Sequence, residues 1–154
     1  MHTTNQNLSM IVSFILMLLA GNVEASEVFQ KNDLAIDGYD IVGYFTETKP
    51  IKGVPEFRVE YHGSTFQFVS AAHRDTFTSH PEKFVPQYGG YCAYGMAKGY
   101  KASIDPTAFT IVEGKLYLNY SEGVRSRWLT DIPGNIRKAD ENWPEVKISK
   151  KVQG

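Results

Sequence analysis

Two stretches of strict alternation constrain this chain more than any other feature. Phe57-Arg58-Val59-Glu60-Tyr61 and Thr65-Phe66-Gln67-Phe68-Val69 place apolar residues at every second position, the period of a strand with one buried face. His62-Gly63-Ser64 leaves room only for a tight turn between them, so the pair reads as a hairpin with Phe57, Val59 and Tyr61 on one face. Phe109-Thr110-Ile111-Val112 and Lys115-Leu116-Tyr117-Leu118-Asn119, joined by Glu113-Gly114, read as a second hairpin.

Helical signals lie between and after the hairpins. Ser70 is a good N-cap for a helix from Ala71 to about Ser79, and Pro81 opens a further turn to Phe84. Gln87-Tyr88-Gly89-Gly90 is a backbone bend, and Tyr91 to Lys98 reads as a short helix ended by Gly99. Lys101 to Ile104 reads as a strand. Ser121 caps a helix carrying Val124, Trp128 and Leu129, which Pro133-Gly134 breaks before a second helical piece from Asn135 to Asn142. Asp40 to Phe45 fits either a helical turn capped by Asp40 or a short strand, and the Lys-rich tail from Glu145 to Gly154 is expected to fray. Two hairpins with interleaved short helices make a small single α+β domain. No internal repeat stands out.

The first 25 residues read as a leader rather than as part of this domain. Met10 to Ala20 is apolar but for Ser13, shorter than the ~20 residues that span a bilayer. Val23-Glu24-Ala25 then places small residues three and one before a cut after Ala25, although no Lys or Arg precedes the apolar run. The expected organisation is a signal peptide over 1–25, a domain over 26–144 and a basic tail over 145–154. The product would be periplasmic or secreted, with no stable membrane span after cleavage. With 16 Lys and Arg against 17 Asp and Glu, the chain lacks the basic excess of a nucleic-acid binder.

A single cysteine excludes an internal disulfide and any Cys-rich zinc module. In an oxidising compartment, Cys92 is therefore either buried or held by a metal or a partner. Gly89-Gly90 places it in the first turn of the expected helix, where the positive end of the helix favours thiolate. Met96 follows four residues later on the same face, and thiolate with thioether is a soft pair suited to monovalent copper. His73 lies one turn from Phe77, and a lone histidine on such a partly apolar face is more often a satisfied core residue than a ligand. Tyr88, Tyr91, Tyr94 and Tyr100 crowd around Cys92 in sequence, as a core shell or as a wall around a thiol. The chain has no Gly-x-Ser-x-Gly elbow, His-Glu-x-x-His helix, P-loop or Cys-x-x-Cys pair.

The stretch Tyr61-x-Gly63-x-Thr65-Phe66-x-Phe68-x-Ser70-Ala71-x-x-Arg74-x-x-Phe77, followed by Pro81-Glu82-Lys83-Phe84, resembles the YHS domain. A longer pattern resembles the exported YHS-domain proteins, some of which are described as selenoproteins. It comprises Ala35-Ile36-Asp37-Gly38-Tyr39-Asp40, Pro86-Gln87-Tyr88-Gly89-Gly90-Tyr91-Cys92-Ala93, Gly114-Lys115-Leu116-Tyr117-Leu118-Asn119 and Ile132-Pro133-Gly134-Asn135-Ile136. The resemblance covers about Leu34 to Pro144 and implies a hairpin-plus-helix module associated with copper and zinc handling. Short metal-binding members begin Asp-Pro-Val-Cys-Gly-Met, where this chain has Asp40-Ile41-Val42-Gly43. Their Phe-Cys-Ser-x-x-Cys-Arg cysteines correspond to Val69 and His73. The resemblance thus puts a Cys-only zinc site in doubt and makes His73 a candidate ligand.

Three readings follow. The first is a soft-metal binding or carrier protein, copper ahead of zinc, with Cys92, His73 and Met96 as ligands and a metal-transfer partner, rather than an enzyme. The second is a thiol-redox protein forming a mixed disulfide with a partner through Cys92. The third is a non-catalytic interaction module in which Cys92 is simply buried.

Overall fold

The hairpin turns carry their signature in the backbone. His62 and Gly63 have φ of 48° and 72°, and Glu113 and Gly114 have 50° and 74°. Two successive positive φ values give the turn whose twist matches paired strands, which is why a glycine stands second in each. In the computed structural model, which describes Glu27–Gly154, these turns join β3 (Val54–Tyr61) to β4 (Ser64–Phe68) and β6 (Asp105–Val112) to β7 (Lys115–Asn119). The leader expectation for 1–25 lies outside the described residues.

The remaining elements complete an α+β domain. β1 (Gln30–Lys31) and β2 (Leu34–Ala35) pair ahead of a 3-10 turn at Ile36–Gly38 and α1 (Gly43–Thr46). After the first hairpin come α2 (Ala71–Ser79), α3 (Pro81–Phe84), a 3-10 turn at Gln87–Gly90, α4 (Ala93–Ala97) and β5 (Lys101–Ala102). After the second come α5 (Glu122–Leu129), α6 (Ile132–Val146) and β8 (Val152–Gln153). Among the described residues the strands form four separate two-stranded pairings, of which the one between β5 and β8 is parallel.

Two local expectations fail for identifiable reasons. Pro133-Gly134 does not break the helix. Asp131 caps α6 by accepting the Gly134 N–H, and a proline in the first turn has no helical N–H bond to lose. The tail folds back rather than trailing away: Lys101 Nζ is buried and donates to the carbonyl oxygens of Lys147 (2.6 Å) and Ser149 (2.8 Å), which leads the chain back to β5.

The structure also overturns the expectation of no internal repeat. Each residue from β6 to α5 has a counterpart 51 positions earlier, from β3 to α2. In the first hairpin, Val54 pairs with Phe68 and Arg58 with Gln67, across an irregularity in the register. In the second, Asp105 pairs with Asn119 and Phe109 with Leu118, across the same irregularity. Ser70 Oγ accepts the His73 N–H to cap α2, and Ser121 Oγ accepts the Val124 N–H to cap α5. Phe66 stacks on Phe77 with centroids 5.1 Å apart and 31° between planes, and Tyr117 stacks on Trp128 at 5.1 Å and 34°. Phe77 and Trp128 are both completely buried. The repeat is hard to see in sequence because few residue identities survive, while burial, capping and turn geometry do.

One hydrophobic cluster runs through both halves. Tyr44 ties them together: its hydroxyl donates to Pro106 O at 2.7 Å and its ring packs on Phe109. Burial drives the Tyr44 hydroxyl far above its ordinary range, so it remains a donor. Tyr88, buried beside Tyr117 and Trp143, donates to Asp140 Oδ1 at 2.9 Å and fastens α6 to the core.

Candidate functional site

The duplication extends upstream of the hairpins, where the first half carries Asp40 and the second carries Cys92. These two stand 52 positions apart, because the stretch between the anchor and its hairpin is one residue shorter in the second half, 13 residues from Cys92 to Asp105 against 14 from Asp40 to Val54. Asp40 N donates to Ile51 O and Cys92 N to Ala102 O, so both begin their short helices from the same anchored backbone.

Asp40 is fully buried and uses both carboxylate oxygens. Oδ1 accepts from Val42 N (2.9 Å) and Gly43 N (3.1 Å). Oδ2 accepts from Val69 N (2.9 Å), at the end of the first hairpin, and lies 2.6 Å from His73 Nδ1. A buried carboxylate is tolerable only with such complete partnering. The His73 side chain is only 15% exposed, with Nε2 3.4 Å from Thr46 Oγ1.

Cys92 repeats this arrangement with sulfur. Its Sγ accepts from Gly95 N at 3.4 Å, the counterpart of Gly43, and from Tyr120 N at 3.3 Å, the counterpart of Val69. One sulfur cannot do the work of two oxygens. The remaining donor, Tyr94 N, the counterpart of Val42, goes instead to Asn119 Oδ1 at 3.1 Å. The Cys92 thiol donates to the same oxygen at 3.6 Å. Asn119 is fully buried where the first half has Phe68, and its Nδ2 has no hydrogen-bond partner.

The halves differ most in what faces this anchor. The first half fills the space with the His73 ring. At the corresponding place on α5 the second half has Val124, and a cavity of about 250 Å3 remains. Cys92, Val124, Tyr94, Tyr100, Tyr120 and Arg127 line it, and Gln153 and Gly154 close one side. Burial pushes the Cys92 thiol above its ordinary value, while the N–H groups of Gly95 and Tyr120 pull it down. The expected helix-start position is thus only partly met: Cys92 is the N-cap of α4, and burial outweighs the donors.

The three expected metal ligands do not share one set of contacts. His73 meets Asp40 and Thr46, whereas the Cys92 sulfur meets Gly95, Asn119 and Tyr120. Met96 is fully buried in the core cluster and does not line the Cys92 cavity, nor does His73. Among the described residues, no group of three or more His, Cys, Asp or Glu side chains is placed to hold a metal ion. The reason is the duplication: Cys92 corresponds to Asp40, the partner of His73, and stands in the other half.

Of the expected tyrosine wall, Tyr94 and Tyr100 line the cavity, while Tyr88 and Tyr91 are buried in the core. Sequence reasoning missed Asp40 as the partner of His73, and Asn119, Tyr120, Val124 and Arg127 as neighbours of Cys92. The signal in the sequence is faint: at an offset of 51, Pro55, Gly63, Ser70 and Arg74 recur as Pro106, Gly114, Ser121 and Arg125, while Asp40 and Cys92 align only at 52. Among the described residues no helix is long and apolar enough to cross a membrane. Comparison with protein-family models, curated proteins and solved structures gives no match.

Proposed function

We propose that this chain is an exported YHS-like domain that works as a single-thiol exchange protein, forming a mixed disulfide with a partner through Cys92. One observation carries the reading: Cys92 Sγ stands where the first half holds a carboxylate oxygen, and it receives two backbone N–H bonds. Donors that suit an anionic oxygen also suit a thiolate, and since burial still raises the Cys92 thiol above its ordinary value, the exchange is expected to quicken as pH rises. In the exchange, the Cys92 thiolate attacks one sulfur of the partner's disulfide. A new S–S bond joins Cys92 to that sulfur, the old S–S bond breaks, and the second partner sulfur leaves as thiolate and takes up the proton that Cys92 lost. With no second cysteine, the mixed disulfide persists until another thiol resolves it.

The test is reaction of the exported protein with an excess of an aromatic disulfide, following released thiol and intact mass. One equivalent released, a single adduct on Cys92 and none in Cys92→Ser support the reading. A folded protein that gives no adduct at any pH up to its alkaline unfolding overturns it.

The Asp40–His73 pair supports a second reading, carriage of a soft or borderline metal ion, copper ahead of zinc. A buried carboxylate on one ring nitrogen is the usual support of a metal-binding imidazole. Elemental analysis of protein purified without air separates the readings. Stoichiometric copper or zinc that is lost in His73→Ala and kept in Cys92→Ser favours the metal at His73.

A further inference from the structure

Residues 152–154 have no counterpart in the first half. There the anchor's open side is filled from within by an imidazole. In the second half it is left as a cavity, and the chain's own returning segment lines part of its outer side through Gln153 and Gly154.

The segment's hold is slight. β8 pairs with β5 through only two residues, Val152 with Lys101 and Gln153 with Ala102, and Ser103 N donates to Gln153 O at 2.9 Å. Lys150 to Gly154 are all exposed. A two-residue ladder with exposed side chains belongs to the low end of local stability. Its fit is nevertheless specific. A Cβ on Gly154 would stand 2.5 Å from the Tyr120 ring and 2.6 Å from Ser103 Oγ, so a larger residue seats there only if those side chains shift. The anchor lies upstream of the ladder: Lys101 Nζ holds the carbonyls of Lys147 and Ser149, which precede β8. Behind the seated segment, Cys92 is only 1% exposed.

From this we infer that the β5 edge is a strand-docking groove, occupied in this structure by residues 152–154, and that an extended peptide segment of the partner displaces them to reach Cys92. The identity of the reaction rests on the exchange reading above. The groove does not. Its recognition is main-chain pairing to Lys101, Ala102 and Ser103, with a small residue favoured against Tyr120. The segment seated there now is the template for the partner.

The test compares the full chain with a chain ending at Lys150, using iodoacetamide on Cys92 and hydrogen exchange at the Ser103 amide. Circular dichroism and thermal unfolding confirm that both are folded. The shortened chain is expected to alkylate at least about tenfold faster and to lose Ser103 protection. A synthetic peptide of residues 149–154 added in trans should slow alkylation again, whereas the same peptide with Val152→Pro should not. In the full chain, Gly154→Leu should behave like the shortened chain. An alkylation rate unchanged by the truncation, or protection that the peptide does not restore, overturns the groove. Alkylation reports access alone, so these outcomes stand apart from the disulfide reaction. Accessible Cys92 that forms no mixed disulfide would sink the exchange reading and leave the groove intact.

Discussion

The first hairpin–helix unit and the second share a backbone and differ in their anchor. In one, a carboxylate with two oxygens satisfies Val42, Gly43 and Val69 and still holds an imidazole. In the other, a sulfur and an amide oxygen from Asn119 divide the same donors between them, and the imidazole is missing. The comparison teaches that these donors belong to the scaffold, fixed by the hairpin end and the short helix. The chemistry at the anchor is what the chain was free to change. The first half fills the space beside the anchor with the His73 ring, held by the fully buried Asp40 carboxylate. The second keeps its sulfur beside a cavity that the returning segment also lines.

The strongest way to break this comparison is at the shared stack. Phe77→Ala and Trp128→Ala should each cost about 3–5 kcal/mol in urea unfolding, because each empties a completely buried site. A large inequality between them would show that the two units do not contribute alike. Trp128 Nε1 has no partner, so Trp128→Phe, which copies the first half, should cost much less than Trp128→Ala.

Next in size is the anchor itself. Asp40→Ala strands three backbone donors and one ring nitrogen and should cost about 3 kcal/mol. If unfolding finds it close to neutral, Asp40 is not the linchpin of the first half. The correspondence is sharpened by transplanting the pair. Cys92→Asp alone buries a carboxylate beside Val124 and should destabilise strongly. Cys92→Asp with Val124→His should recover about 1–2 kcal/mol as coupling in a double-mutant cycle. Zero coupling would mean that the two places are alike in backbone only.

The smallest expected effect is in pH. The folded chain raises the Cys92 thiol above its ordinary value of 9.0, so it holds that proton more tightly than the unfolded chain does. The stability this contributes is fully present below pH 9.0 and declines as pH rises from there through the higher folded value. Cys92→Ser should lack that part of the decline in unfolding measured against pH. The buried tyrosines Tyr44, Tyr88, Tyr91 and Tyr117, also raised, contribute a further loss at higher pH in both proteins.

Much of the fold was legible because its signals are local. Alternation located both hairpins, Gly63 and Gly114 marked the turns, and Ser70 and Ser121 announced the helices they cap. The boundaries of α6 were not legible, since Pro133 is tolerated only because Asp131 supplies a cap. Nor was β8: its return depends on Lys101, a residue that reads as surface and is buried by two distant carbonyls. At the candidate site, Cys92 and His73 were singled out by residue type. Their separation into two halves was hidden, because spacing along a chain does not say which residues face each other. Asn119 reads as an ordinary strand end until the missing second oxygen of the anchor explains it.

The paired hairpins also bear on how this chain reaches its native state. Each unit of two strands, a two-residue turn and a capped helix is local in sequence, and local contacts form early because little loop entropy opposes them. A chain holding two such units has two places at which ordering can begin. Weakening one nucleus would send more molecules through the other rather than slow them all. Fractional φ-values in both hairpins would then record a division of molecules between two routes, not a half-formed contact on one.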